Sequence, residues 1–281
     1  IWSLQNMKED NTPLQIDVEK VIRSKSEKLA KRLPRFVLNY IKKTIHQDEL
    51  NGILKRNIGI TGVDFATAVL KELNVKYNVH SSITLDPNKR YVFVSNHPLG
   101  GLDGMVIISH FGRMFDSKVK FMVNDLLMHV EPLSDVFVPI NKYGKMKHQG
   151  TNQFIETFTS DNQVLYFPAG LCSRLIKGEI TDLEWKKTFV TKAIDSDRDI
   201  VPMYFSGRNS KFFYRLANIR KRLGIKFNVE TFYLPDEMFK NSNKTFDLYI
   251  GEPIPCESLK DGRSHKEWCK IIREKCYNLP K

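Results

Sequence analysis

The stretch Arg90-Tyr-Val-Phe-Val-Ser-Asn-His-Pro-Leu-Gly-Gly-Leu-Asp-Gly104 decides how the rest of the chain is read. Tyr91 to Val94 is a β-branched and aromatic run, which predicts a buried strand. The strand stops at Ser95-Asn96-His97-Pro98, because proline has no N–H for a ladder and disfavours helix at the residue before it. Gly100 and Gly101 permit a sharp turn or a close approach of backbone to a ligand. Asp103 falls at the start of an apolar helix running from Met105 to Phe115. His97 at the carboxyl end of a strand, with Asp103 opening the next helix, occupies the place where open α/β sheets bind ligands.

This pairing has a direct chemical use. An aspartate that accepts the Nδ1–H of a histidine fixes its tautomer and leaves Nε2 as a general base. A histidine in a turn beside an aspartate capping a helix has the same spacing. On these residues the two readings stand level.

Outward from this stretch, strands are predicted at Val75–Val79, Val119–Val123, Val136–Ile140, Gln163–Phe167, Ile200–Phe205 and Thr245–Ile250. Helices are predicted at Leu126–Val130, Lys145–Thr159 (Phe154, Ile155 and Phe158 inward), Trp185–Ile194 and Ser264–Tyr277. Strands alternating with helices imply an α/β fold, a mostly parallel mixed sheet flanked by helices, over residues 74–281. Residues 1–73 form an N-terminal helical segment, with Val18, Val21, Ile22 and Leu29 at helical spacing and Pro34 opening a second helix to Ile45. Met7 looks like a native start, so residues 1–6 are expected to be an artificial leader.

The chain of 281 residues is 41% hydrophobic and 27% charged, ordinary for a globular protein. It contains no apolar run long enough to cross a bilayer and no secretory signal. Its four cysteines lack zinc spacing, and free thiols in a cytoplasmic setting are expected, with no bound cofactor and no metal. A net charge of +12 favours anionic partners, either lipid headgroups, nucleic acid or an acidic carrier protein. No recognition-helix, zinc-finger or RNA-binding signature is present, so no nucleic acid is expected.

Asn96-His97 followed by Asp103 resembles the first motif of the glycerophospholipid acyltransferase superfamily, with five residues here where the usual pattern has four between histidine and aspartate. The form His-Pro-Leu-Gly-Gly-Leu-Asp-Gly looks like a bacterial, hemolysin-like branch close to the aminolipid (ornithine and glycine lipid) N-acyltransferases. The likeness implies His97 and Asp103 as the catalytic pair, with Asn96, Gly100 and Gly101 around the substrate. It also implies a fatty acyl thioester, on acyl carrier protein or coenzyme A, as donor.

Phe167-Pro168-Ala169-Gly170, with Arg174 beyond, resembles the third motif of that superfamily, which holds an acceptor phosphate. Ala169 replaces the motif's glutamate, which argues against glycerol-phosphate. Pro168, Gly170 and Arg174 are expected to bind the acceptor, Arg174 through its planar fork. Val136 to Lys142 stands where the second motif falls, with Asn141 and Lys142 in place of its arginine, both expected near the acceptor. Cys172 lacks a neighbouring base and is not expected to act as a nucleophile.

Asn209 to Leu223 predicts a basic amphipathic helix, with Phe212, Leu216, Ile219 and Leu223 on one face and Phe213 and Tyr214 as exposed aromatics. Lys211, Phe212, Phe213, Arg215 and Arg220 are the expected docking residues, for an anionic membrane surface or an acyl carrier. Three functions follow in order. The first is N-acylation of an amino acid such as glycine or ornithine, by a peripheral enzyme on the cytoplasmic face of the membrane. The second is O-acylation of a lysophospholipid or glycerol-phosphate. The third is a non-catalytic basic protein binding membrane or nucleic acid.

Overall fold

The computed structural model describes residues 15–124, 130–140 and 148–280. Five helices come first: α1 (Val18–Lys25), α2 (Glu27–Arg32), α3 (Arg35–Thr44), α4 (Gln47–Arg56) and α5 (Gly62–Glu72). Then come β1 (Lys76–Ser81), β2 (Tyr91–Ser95), α6 (Leu102–Met114), β3 (Val119–Val123), β4 (Phe137–Pro139), α7 (His148–Thr159) and β5 (Gln163–Tyr166). A hairpin follows, β6 (Arg174–Ile176) and β7 (Glu179–Thr181). The chain closes with α8 (Thr188–Asp195), β8 (Asp199–Phe205), α9 (Lys211–Arg222), α10 (Leu234–Lys240), β9 (Thr245–Ile250) and α11 (His265–Asn278).

The main sheet has seven strands in the order β1-β9-β8-β2-β5-β3-β4. Every pairing in it is parallel except that of β8 with β9. This is the α/β fold with a mostly parallel mixed sheet that the sequence predicts. β2 lies mid-sheet between β5 and β8, and all five of its residues are buried. Its unbroken apolar run follows from that position, since a central parallel strand is covered on both faces. Successive side chains alternate accordingly. Phe93 joins the core beneath α5 and α6, with Phe65, Val106 and Phe111. Val92 and Val94 join the opposite core, with Phe189 of α8 and Ile272 of α11. Burying a side chain such as Phe93 completely is worth about 1.5–3 kcal/mol.

The helical segment expected over 1–73 includes α5, which packs into this core. Val63, Phe65, Ala66, Val69 and Leu70 of α5 pack in one cluster with strand residues Phe93 and Leu165. α5 lies close to α6 because Gly112 has no side chain; a Cβ there would stand 2.4 Å from the Val63 methyls. Within α7, Phe158 is buried but Ile155, expected inward, is exposed. Phe154 and Phe158 share a face at i,i+4, whereas Ile155 is rotated off it. Residues 126–129 and 145–147, both read as helical, lie outside the described residues, as do Asn141 and Lys142.

Arg198 ties two layers together from inside. It is completely buried, and its guanidinium donates to the carbonyls of Phe158 (2.8 Å), Asn162 (2.7 Å), Tyr91 (3.3 Å) and Ser160. It thereby caps the C-terminal end of α7 with a cation, the favourable sign for that end of a helix dipole.

Candidate active site

The carboxyl end of β2 opens into the turn His97-Pro-Leu-Gly-Gly101, and α6 begins at Leu102. Gly100 makes the turn possible. Its φ is +82°, a left-handed conformation, and a Cβ there would meet Leu234 at 2.6 Å and Cys172 at 3.3 Å. The extra residue between His97 and Asp103 is taken up here, so the pair still meets: His97 Nδ1 is 2.9 Å from Asp103 Oδ2.

Asp103 is fully buried and organises the whole turn. Oδ2 also accepts the Leu99 N–H at 2.9 Å, while Oδ1 accepts the N–H groups of Gly104 at 2.9 Å and Gly101 at 3.1 Å. Burial pushes its carboxyl up, but charge and hydrogen bonding from His97, with the Leu99 and Gly104 N–H groups, outweigh burial and hold it below the usual carboxylate range. An ionised Asp103 makes Nδ1 of His97 the donor and leaves Nε2 with a free lone pair. Nε2 makes no hydrogen bond among the described residues. The imidazole lies flat on the Phe167 ring, centroids 4.0 Å apart and planes 21° apart.

The His97 backbone is clamped from the far side by Asp182, a residue that sequence reasoning missed. Asp182 Oδ1 accepts the His97 N–H at 3.2 Å and the Ser173 hydroxyl at 2.5 Å, and Oδ2 accepts Trp185 Nε1 at 2.8 Å. Ser173 in turn donates its N–H to the His97 carbonyl at 2.7 Å. Burial raises the Asp182 carboxyl, against these hydrogen bonds. Nothing in the sequence signals the contact, which joins positions 85 residues apart.

The other expected site residues divide. Asn96 is buried and serves as a backbone mimic between β2 and β8. It accepts the Phe205 N–H at 2.7 Å and donates to the Phe205 carbonyl at 3.0 Å. Pro168 and Gly170 shape the turn after β5: the Pro168 carbonyl accepts the Lys186 N–H, and Gly170, at φ +66°, donates to the Phe167 carbonyl. Gly101, expected around the substrate, has its N–H taken by Asp103.

Arg174 needs correction. It is expected as an open anion contact, but its side chain is only 7% exposed and is paired with the fully buried Glu230 at 2.8 Å. It also donates to the Cys172 carbonyl and lies over the Phe213 ring. Arg220 shares the same carboxylate at 2.9 Å, so it too is withdrawn from the expected docking set. Phe213 and Tyr214, expected exposed, are buried against Cys172 and Leu234. Lys211, Phe212 and Arg215 are exposed. Cys172 is buried, and burial pushes its thiol up to about 11, which keeps it protonated and unreactive.

Between the ends of β2 and β8 lies a cavity of about 300 Å³, lined by Asn96, Pro98, Ser173, Ile180, Tyr204, Gly207 and Arg208. Its wall therefore includes both neighbours of His97 in the chain.

Comparison with known proteins places this site in a family. A family model described as "Acyltransferase" matches residues 20–281. The chain belongs to the acyltransferase family. The match covers the N-terminal helices from residue 20 as well as the α/β core. This acyltransferase is 46% identical over 270 residues to the lyso-glycine lipid O-acyltransferase of Phocaeicola vulgatus, covering 96% of this chain and 97% of that protein. It is 47% identical over 270 residues to the lyso-glycine lipid O-acyltransferase of Bacteroides thetaiotaomicron, covering 96% of this chain and 99% of that one. Among solved structures it is similar to the 1-acyl-sn-glycerophosphate acyltransferase of Thermotoga maritima, with a TM-score of 0.47 and 14% identity, over 86% of this chain and 95% of that one.

Proposed function

We propose that this acyltransferase moves a fatty acyl chain from a thioester donor to the hydroxyl of a lyso-glycine lipid, with His97 as general base. One observation carries the acceptor: two relatives with that printed activity match the chain at 46% and 47% identity over 96% of its length. The proposal replaces the amine expected first from the sequence with a hydroxyl, and keeps the aminolipid class. It also suits the base. A neutral amine attacks a thioester unaided, whereas a hydroxyl needs its proton removed as it attacks, which is the work that an open Nε2 does.

In the proposed reaction, the acceptor oxygen attacks the thioester carbonyl while His97 Nε2 takes the hydroxyl proton. Asp103 keeps the ring oriented and stabilises the imidazolium. The Gly100 N–H, unengaged among the described residues, is the nearby backbone donor for the oxyanion. The tetrahedral intermediate collapses, the C–S bond breaks, and the imidazolium returns its proton to the leaving sulfur. The donor is carried on acyl carrier protein or coenzyme A.

We also propose peripheral docking on the cytoplasmic face of an anionic membrane. Among the described residues, no helix is long and apolar enough to cross one. Support comes from α9, whose outer face carries exposed Phe212, Ile219 and Leu223, with Ile225 and Phe227 just beyond. Lys211, Arg215, Lys221 and Arg222 surround them. Exposed Phe36 and Tyr40 of α3 continue this surface through Tyr233, which hydrogen-bonds Tyr40 at 2.8 Å and packs edge-on against Phe212.

The test is release of thiol from a long-chain acyl thioester in the presence of a lyso-glycine lipid. His97→Ala should lose activity by roughly 10²–10⁴-fold with its fold intact by circular dichroism. Wild-type turnover in that variant would end the assignment of the base. Thiol release with glycine alone would return the acceptor to the amine.

A further inference from the structure

The cavity beside His97 contains a cation that the proposed reaction has not used. Arg208 lines it and is exposed, and no carboxylate among the described residues lies within ion-pairing distance of it. The two arginines on the hairpin side behave differently, since Arg174 and Arg220 are both ion-paired with Glu230. Tyr204 also lines the cavity, and its hydroxyl makes no hydrogen bond among the described residues. The remaining polar side chains of the wall are engaged: the Asn96 amide by the Phe205 backbone and the Ser173 hydroxyl by Asp182. What is left without a partner is the guanidinium of Arg208 and the phenol of Tyr204, two residues of a wall that carries no acidic side chain. That combination takes a carboxylate.

Position supports the same assignment. Gly207, at φ +145°, carries the loop that bears Arg208 down onto the catalytic turn, where a Cβ at 207 would stand 3.3 Å from Leu99. Leu99 is the residue whose N–H is held by Asp103. The Arg208 loop therefore passes close to the turn that holds the dyad.

The acceptor supplies the matching group. Glycine has no hydroxyl, so the oxygen that is acylated must belong to the chain already attached to it. Glycine joined to that chain through its nitrogen keeps its carboxylate. Resting on the proposed acceptor, we infer that Arg208, with Tyr204, binds the glycine carboxylate and so selects a glycine lipid over acceptors lacking a terminal carboxylate. The anion sits in the cavity between β2 and β8, and the chain hydroxyl reaches His97 at the adjacent strand end.

The experiment has a binding arm and a turnover arm. In the first, an N-acylglycine without a hydroxyl is titrated into the full-length wild type, Arg208→Ala and Arg208→Lys, beside the same molecule with its carboxyl capped as the primary amide. Wild type should prefer the acid by about tenfold or more, Arg208→Ala should bind both equally weakly, and Arg208→Lys should recover part of the preference. In the second, Arg208→Ala should raise KM for the lyso-glycine lipid by a similar factor with a smaller change in kcat, and its melting temperature should match wild type because the side chain is exposed. Equal binding of acid and amide by wild type, or an undiminished preference in Arg208→Ala, overturns the inference. Arg208-dependent binding of the acid without turnover of any lyso-glycine lipid would keep the carboxylate site and reject the proposed acceptor.

Discussion

Asp103 is where backbone geometry and chemistry meet, because one carboxylate both closes the turn and holds the His97 ring. Its two roles can be separated by pH. The folded state holds this carboxyl below its ordinary value, so its contribution to stability is complete above about pH 4 and is lost as pH falls through the lower folded value. Asp182 is displaced the other way. Burial raises it, so its contribution is full in acid and declines as pH climbs from the ordinary carboxylate value through the folded one. Urea midpoints measured from about pH 6 down to about pH 3 should therefore fall less steeply in Asp103→Asn than in wild type. Parallel curves would mean that Asp103 contributes nothing to the acid limb. Turnover of the same variant should drop at every pH, since an amide does not stabilise an imidazolium.

At the scale of elements, the strand-turn-helix from β2 to α6 works because its two glycines do different jobs. Gly100 is left-handed and roofed by Leu234 of α10, whereas Gly101 is extended at φ −175°, with no atom within 4 Å of where a Cβ would stand. Gly100→Ala should cost about 1–2 kcal/mol from backbone strain, plus the displacement of Leu234. Gly101→Ala should stay within about 0.5 kcal/mol of wild type. Chemical denaturation of both variants checks this, and equal losses would contradict it. The strand and helix on either side were readable from composition and from Pro98. That Gly100, and not its neighbour, carries the strain was not, because α10 comes from more than a hundred positions along the chain.

Across the whole molecule the net charge is +12, and exposed Lys211, Arg215, Lys221 and Arg222 flank the apolar outer face of α9. If that surface rests on lipid, Phe212→Asp combined with Leu223→Asp should weaken binding to anionic vesicles by about tenfold or more. Thiol release from a soluble short-chain donor should be little affected. Co-sedimentation at low and high salt is the measurement, and salt should weaken the wild type too. Undiminished vesicle binding by the double variant would place the contact elsewhere.

The sequence by itself determined the strands of the main sheet, the placing of His97 and Asp103 at the two ends of one turn, and the family, because these depend on residues near one another in the chain: the unbroken apolar run of β2, the break at Pro98 and the start of α6. It also determined that α9 is two-faced. Only the tertiary structure decided which face turns inward. A helical period marks a stripe but not its partner, and Cys172 and Leu234 meet Phe213 and Tyr214 and leave Phe212 in solvent. The charges followed the same rule. Arg174 stands next to a recognisable motif, yet Glu230, 56 positions away, claims it. A guanidinium pairs with the carboxylate that the fold brings within reach, so only the folded chain separates the arginines already paired from Arg208, which faces the cavity without a carboxylate partner among the described residues.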